Sequence, residues 1–186
     1  QEMKHRLMSW EGLLLATFLV IFLVNAVALP EFLTVSNQIN LFQLSIEKII
    51  VVLVMAFIII NAEIDLSVAS IIALTSTVMG YAVQLGFDTP VLVLVGLTTS
   101  LLCGAFNGLL VTGLGLPSIV VTIGTMSLFR GISYIVLGDQ AYGKYPADFA
   151  WFGQGYVVWV FSFEFVLFLV MAVVFGVLLH RTNFGR

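Results

Sequence analysis

Uncharged apolar stretches alternate along this chain with short polar breaks or breaks rich in glycine and proline. The first stretch, Gly12–Leu29, ends at Pro30. The second runs from about Gln43 to Ile60 and stops at the cluster Asn61-Ala62-Glu63-Ile64-Asp65. The third, Leu66–Leu85, is followed by the turn signal Gly86-Phe87-Asp88-Thr89-Pro90. From Thr89 to Phe129 there is no charged residue, a run too long for one helix. Gly113-Leu114-Gly115-Leu116-Pro117 divides it, because paired glycines and a proline are poor helix interior. That places a fourth span near Val91–Thr112 and a fifth near Ser118–Leu137. A polar, aromatic loop fills Gly138–Gly155, and a sixth span covers Val158–Leu179.

Each stretch is close to the roughly 20 residues a helix needs to cross the hydrocarbon core. Barrel strands alternate apolar and polar positions, whereas Leu13–Val24 and Phe165–Leu179 are apolar all round. Only a helix satisfies its own backbone with lipid on every side. The pattern predicts an all-α polytopic membrane helix bundle, with about six transmembrane helices and residues 1–186 in one transmembrane domain.

Composition agrees. The chain is 61% hydrophobic with seven basic and ten acidic residues, and its mean hydropathy is +1.15. A soluble domain is about one-quarter charged. With a net charge of −3 and no basic patch, nucleic acid is not an expected partner. The lone Cys103 lies in an apolar run and reads as a buried small residue. Lys4 and Arg6 precede the first span, Arg181 and Arg186 follow the sixth, and the loops opposite hold only Lys144. The positive-inside rule then places both termini in the cytoplasm.

Polar residues at membrane depth are candidates for function, because leaving them in lipid is costly. Glu47-Lys48 sits at the outer end of the second span, where Lys48 can snorkel to the interface. Glu63, Asp65 and Ser67 cluster at the next break, and Asp65 or Ser67 could cap the third helix. Arg130 lies past the middle of the fifth span and calls either for an acid such as Glu164 or Glu47, or for a solute pathway. Asn107 lies between Gly104 and Gly108, whose small-xxx-small spacing suits close helix packing. It reads as a helix-bridging hydrogen bonder or a solute ligand. Thr122 and Thr125 are tolerated in a span and decide nothing alone. Tyr142, Tyr145, Trp151, Tyr156 and Trp159 suit the membrane interface, and such rings also stack on sugars.

There is no Walker-type phosphate loop, so the chain is not expected to hydrolyse ATP. His5 and His180 lie far apart in the chain with no Cys, His or acid cluster beside either, so neither a metal centre nor a catalytic triad is expected.

Three segments carry a resemblance. Glu63-Ile64-Asp65-Leu66-Ser67-Val68-Ala69-Ser70 resembles the signature of permease subunits of bacterial ABC importers for simple sugars, the ribose-type family. That family usually has glycines before Ile-Asp-Leu-Ser, where this chain has Asn61-Ala62-Glu63. Pro117–Thr125, followed by Phe129-Arg130-Gly131, is similar to the family's central motif, and His180–Arg186 to the basic run entering its cytoplasmic coupling segment. Within the family, Gly138–Pro146 and the run Gly153–Phe165 look most like rhamnose permeases.

The resemblance implies a non-enzymatic, membrane-spanning permease in the bacterial inner membrane. Its implied partners are lipid, cytoplasmic ATPase subunits that use the ATP, a periplasmic sugar-binding protein and a second permease subunit, in a homo- or heterodimer. No cofactor is implied for this chain. Glu63, Asp65 and Ser67 become structural or gating residues. Asn107, Thr122, Thr125 and Arg130 become candidates for the substrate pathway, and Gly104 and Gly108 for helix packing. The resemblance also implies a full permease of about ten spans, of which this chain is the N-terminal portion. The competing reading is an ion-coupled secondary transporter of a small solute. That class places carboxylates at the midplane and shows inverted repeats, whereas the acids here sit mostly at span ends.

The topology is testable in a Cys103-free background. A cysteine at Tyr142 should react with an impermeant maleimide from the outside only, and reaction only from the cytoplasm would reverse the assignment.

Overall fold

The computed structural model describes residues 10–158 and 161–182, with the side chain of Val158 left aside. Lys4, His5, Arg6, Trp159 and Asn183–Arg186 lie outside the described residues. The helices are α1 (Trp10–Ala28), α2 (Val35–Ile60), α3 (Val68–Gln84), α4 (Thr89–Gly108), α5 (Ser118–Leu137), α6 (Ala147–Gln154) and α7 (Phe163–Arg181). A π-helical turn, Leu109–Gly113, extends α4, and the short strands β1 (Tyr156–Val158) and β2 (Phe161–Ser162) pair antiparallel before α7. Five of these helical stretches are long and apolar enough to cross a membrane, and α3 is a shorter apolar helix of 17 residues. The chain is an all-α polytopic membrane protein with one small hairpin.

Three boundaries differ from the expectation. Helix α2 begins at Val35, not near Gln43, so Glu47 and Lys48 lie in the middle of the helix and not at its outer end. Its first turns hold Asn37, Gln38 and Asn40, which read as loop, yet Asn37 and Gln38 donate side-chain bonds to the Phe32 carbonyl at 2.9 and 2.6 Å and tie down the helix start. The sixth span begins at Phe163, because the apolar residues before it pair as the hairpin. Ser162 caps that helix, its Oγ accepting from Phe165 N at 3.3 Å. The loop after Gly138 contains α6, whose Trp151 and Phe152 rings meet Phe163 at 5.3 and 5.2 Å.

The chain divides into two compact units, residues 1–46 and 47–186. In the first, Phe22 and Phe32 pack edge-on at 5.4 Å between α1 and the turn behind it. In the second, α3 packs against both α4 and α5. Leu74, Cys103 and Phe129, one from each helix, form the buried core, with Ile71 and Val78 against it. Cys103 is buried there, as its apolar surroundings predicted.

Helix α2 ends in a Schellman motif: Glu63 N donates to Ile58 O at 3.1 Å and Ala62 N to Ile59 O at 2.9 Å. The motif needs a left-handed residue, and Ala62 supplies it at φ 58°. Glycine takes that conformation freely, whereas a Cβ costs about 1–2 kcal/mol. Ala62→Gly is therefore expected to stabilise the protein by about 1 kcal/mol, read as a higher unfolding midpoint in detergent. An unchanged or lowered midpoint would contradict the strain.

Candidate functional site

Helix α3 spans only about 26 Å, short of the roughly 30 Å hydrocarbon core. Residues 61–67, the non-helical link from α2, extend its reach. Backbone that leaves the helix near lipid needs protein partners, and Ile64 in the link has them. Ile64 N donates to Ser118 Oγ at 3.3 Å, and Thr122 Oγ1 donates to Ile64 O at 3.3 Å, so one turn of α5 grips both faces of one peptide residue. Pro117, just before α5, lets Ser118 and Thr122 sit at the very start of the helix, beside the link.

At the α3 end of the link is a polar node. Asp65 Oδ1 accepts from Ser67 N at 2.8 Å and from Ser67 Oγ at 2.6 Å. Asn107 Nδ2, from α4, donates to the same Ser67 Oγ at 2.8 Å. Ser70 Oγ donates to Ser67 O at 2.6 Å. A hydroxyl has one proton, and Ser67 gives it to Asp65. Ser67 therefore receives from Asn107, which fixes the orientation of that amide. Ser67 is fully buried and Asn107 is 7% exposed. Asn107 Oδ1 is buried with no partner among the described residues, so the node ends in an open acceptor. The expected cap is corrected here: the Ser67 side chain makes no capping bond to α3 and is spent on Asp65 and Asn107 instead.

The other candidates fall in different places. Thr122 and Thr125 are buried on the face of α5 that also buries Val121, Phe129 and Ser133. Thr125 Oγ1 donates back to Thr122 O at 3.4 Å. Further along the same seam Thr77 and Ser133 share a 2.7 Å bond between α3 and α5. Arg130, next to buried Phe129, is exposed, and among the described residues it makes no ion pair with Glu47 or Glu164. Glu63 is exposed in the link. Gly104 and Gly108 would have nothing within 4 Å of an added Cβ, so the small-xxx-small face meets no other described element of this chain. The close approaches lie instead at Gly96, where a Cβ would stand 2.6 Å from Met79 Sδ, and at Gly80, where it would stand 2.5 Å from Tyr142 Cβ. Sequence spacing on α4 could not find these, because each depends on a residue of another element. No cluster of His, Cys, Asp or Glu able to hold a metal occurs among the described residues.

A family model described as a branched-chain amino acid transport system permease component matches residues 37–186. The autoinducer 2 import system permease protein LsrC of Enterobacter sp. (strain 638) is 33% identical over 185 residues, covering 99% of this chain and 52% of LsrC. The L-arabinose transport system permease protein AraH of Escherichia coli (strain K12) is 32% identical over 175 residues, covering 93% of this chain and 52% of AraH. LsrC of Yersinia pestis (strain Pestoides F) is 29% identical over 178 residues, 95% of this chain and 50% of that protein. The chain spans about half the length of the curated relatives it matches. No solved structure matches it.

If Ser67 joins three parts of the chain, its removal should unbalance all of them. Ser67→Ala is expected to destabilise by about 1–3 kcal/mol, as is Asn107→Ala, with a coupling above about 0.5 kcal/mol in the double-mutant cycle. Thr112→Ala, on an exposed hydroxyl bonded within its own helix at 2.7 Å, should stay within about 0.5 kcal/mol. Additive effects at Ser67 and Asn107 in detergent unfolding would show that the node does not act as a unit.

Proposed function

The chain belongs to the family of branched-chain amino acid transport system permease components, and on that premise we propose that it is the membrane-spanning part of an ATP-driven sugar importer, with rhamnose or a related monosaccharide as cargo. The observation that carries this reading is similarity along nearly the whole chain to permease proteins of an L-arabinose transport system and of an autoinducer 2 import system. The rhamnose assignment rests on the resemblance of the Gly138–Pro146 loop.

In this reading the chain works in the bacterial inner membrane with both termini cytoplasmic. A periplasmic binding protein delivers the sugar, two permease subunits form the pathway, and cytoplasmic ATPase subunits drive the cycle. An energy source shifts such a cycle only by contacting its states differently. The link at residues 61–67 supports a gating role for Glu63, Asp65 and Ser67, because its bonds to Ser118, Thr122 and Asn107 are few, directional and shared between two other helices, α5 and α4. A small rotation of α5 would release the bonds of Ser118 and Thr122 together. Asn107 with its open acceptor on α4, and Thr122 and Thr125 on α5, are the pathway candidates beside these bonds. Arg130 faces protein or an aqueous cavity in the assembled transporter, since a mid-membrane Arg in lipid costs about 2.5–3.5 kcal/mol.

The test is reconstitution of the full-length permease with its ATPase and binding protein in liposomes. ATP-dependent uptake of L-rhamnose is expected, and Asn107→Leu should lower its rate at least tenfold. Uptake of another sugar alone would reject rhamnose, and uptake of none would reject the importer.

A further inference from the structure

At the end of the bundle away from the link, a cavity of about 390 Å³ opens between the last turn of α3 and the segment after α5. Gly80, Val83 and Gln84 line it from α3, and Gln140–Lys144 from the segment. The wall is fastened rather than loose. Tyr142 OH donates to Val136 O at 3.0 Å and Tyr145 OH to Ser76 O at 3.2 Å, tying the segment to α5 and α3. Gly80 is the floor: the Tyr142 side chain lies where any Cβ at position 80 would be, so only glycine lets the ring rest on the helix.

The lining has a definite chemistry. Because its hydroxyl is spent on Val136, Tyr142 offers the cavity a half-buried ring face. Gln140 Nε2 donates to Asp139 Oδ1 at 3.0 Å, which leaves its amide oxygen as an acceptor. Gln84 adds a donor and an acceptor, Lys144 adds donors, and no carboxylate lines the space. A mixed set of donors and acceptors beside an aromatic face matches a ligand whose groups both donate and accept and whose ring has an apolar C–H face. The volume is at the small end of ligand sites, which run to about 1,000 Å³.

We propose that this cavity is a binding site for a single neutral monosaccharide, with Gln84, Gln140 and Lys144 reading hydroxyls and Tyr142 stacking on the ring. It is a contact between sugar and permease at the end opposite the Asp65–Ser67–Asn107 node, so that cargo meets the two ends of α3 in turn. The inference rests on the importer reading above and names where that cargo first touches the chain.

The test uses the full-length permease in its complete transporter, free of Cys103, with Ala141→Cys as reporter and Phe87→Cys on the neighbouring exposed turn as control. Uptake assays first establish which of L-rhamnose, L-arabinose and D-ribose the complex imports and that the reporter variants retain uptake. Maleimide labelling is then timed with and without that sugar at about 50 mM, saturating for a weak site, with binding protein omitted. Labelling at position 141 should slow at least threefold, labelling at position 87 should not, and Gln84→Ala with Gln140→Ala should abolish the protection. Equal labelling rates with an imported sugar would overturn the site while leaving the importer intact. Protection by sugar-free binding protein alone would overturn it in favour of a protein-docking face. Failure to import any of the three sugars, with protection absent as well, would reject both.

Discussion

Near hydrocarbon, every backbone N–H and C=O that leaves a helix has to find a partner in the protein, since lipid supplies none. That constraint organises the second unit of this chain. Helix α3 is at the short end of what can cross, the link at 61–67 carries the chain on, and the backbone N–H and C=O of Ile64 in that link are met by α5. Ser118 and Thr122 are thus not scattered polar residues in an apolar helix. They meet backbone groups that have left a helix, Asn107 of α4 holds the Ser67 side chain beside them, and Leu74, Cys103 and Phe129 fill the space between the three helices.

The contact between α3 and α5 carries polar pairs at intervals along its length. Thr77 meets Ser133 in its middle, and Tyr142 and Tyr145 close it at the far end through main-chain carbonyls. Apolar contact gives little preference between two helices in lipid, since the tails are as apolar as the side chains. Hydrogen bonds at fixed positions give register. A seam of this kind holds two helices in one alignment, or in a small number of alternatives, and not in a continuum.

Sequence pattern reached some of this and missed the rest for identifiable reasons. The approximate extent of α5 was legible, because Pro117 precedes it and a polar, glycine-dotted segment begins at Gly138. The start of α2 was not, since Asn37, Gln38 and Asn40 look like loop until Phe32 is seen to offer its carbonyl. The hairpin before α7 was hidden in an apolar run, and a short apolar run reads equally as strand or helix. Asn107 could be singled out, but not its partner forty positions away in Ser67. The Gly104 and Gly108 pair drew attention by spacing, whereas Gly80 and Gly96 matter by what faces them. Residues were legible where the determinant is local and illegible where it is a neighbour in space.

The length of α3 has one further consequence. The helix is 17 residues, about 26 Å, a little less than the apolar slab of about 30 Å. A thicker membrane draws the polar link at 61–67 deeper into hydrocarbon and a thinner one relieves it, at fractions of a kcal/mol per ångström. Hydrophobic mismatch therefore falls on this helix, and the lipids around it act as a load on the same link that α4 and α5 hold in place.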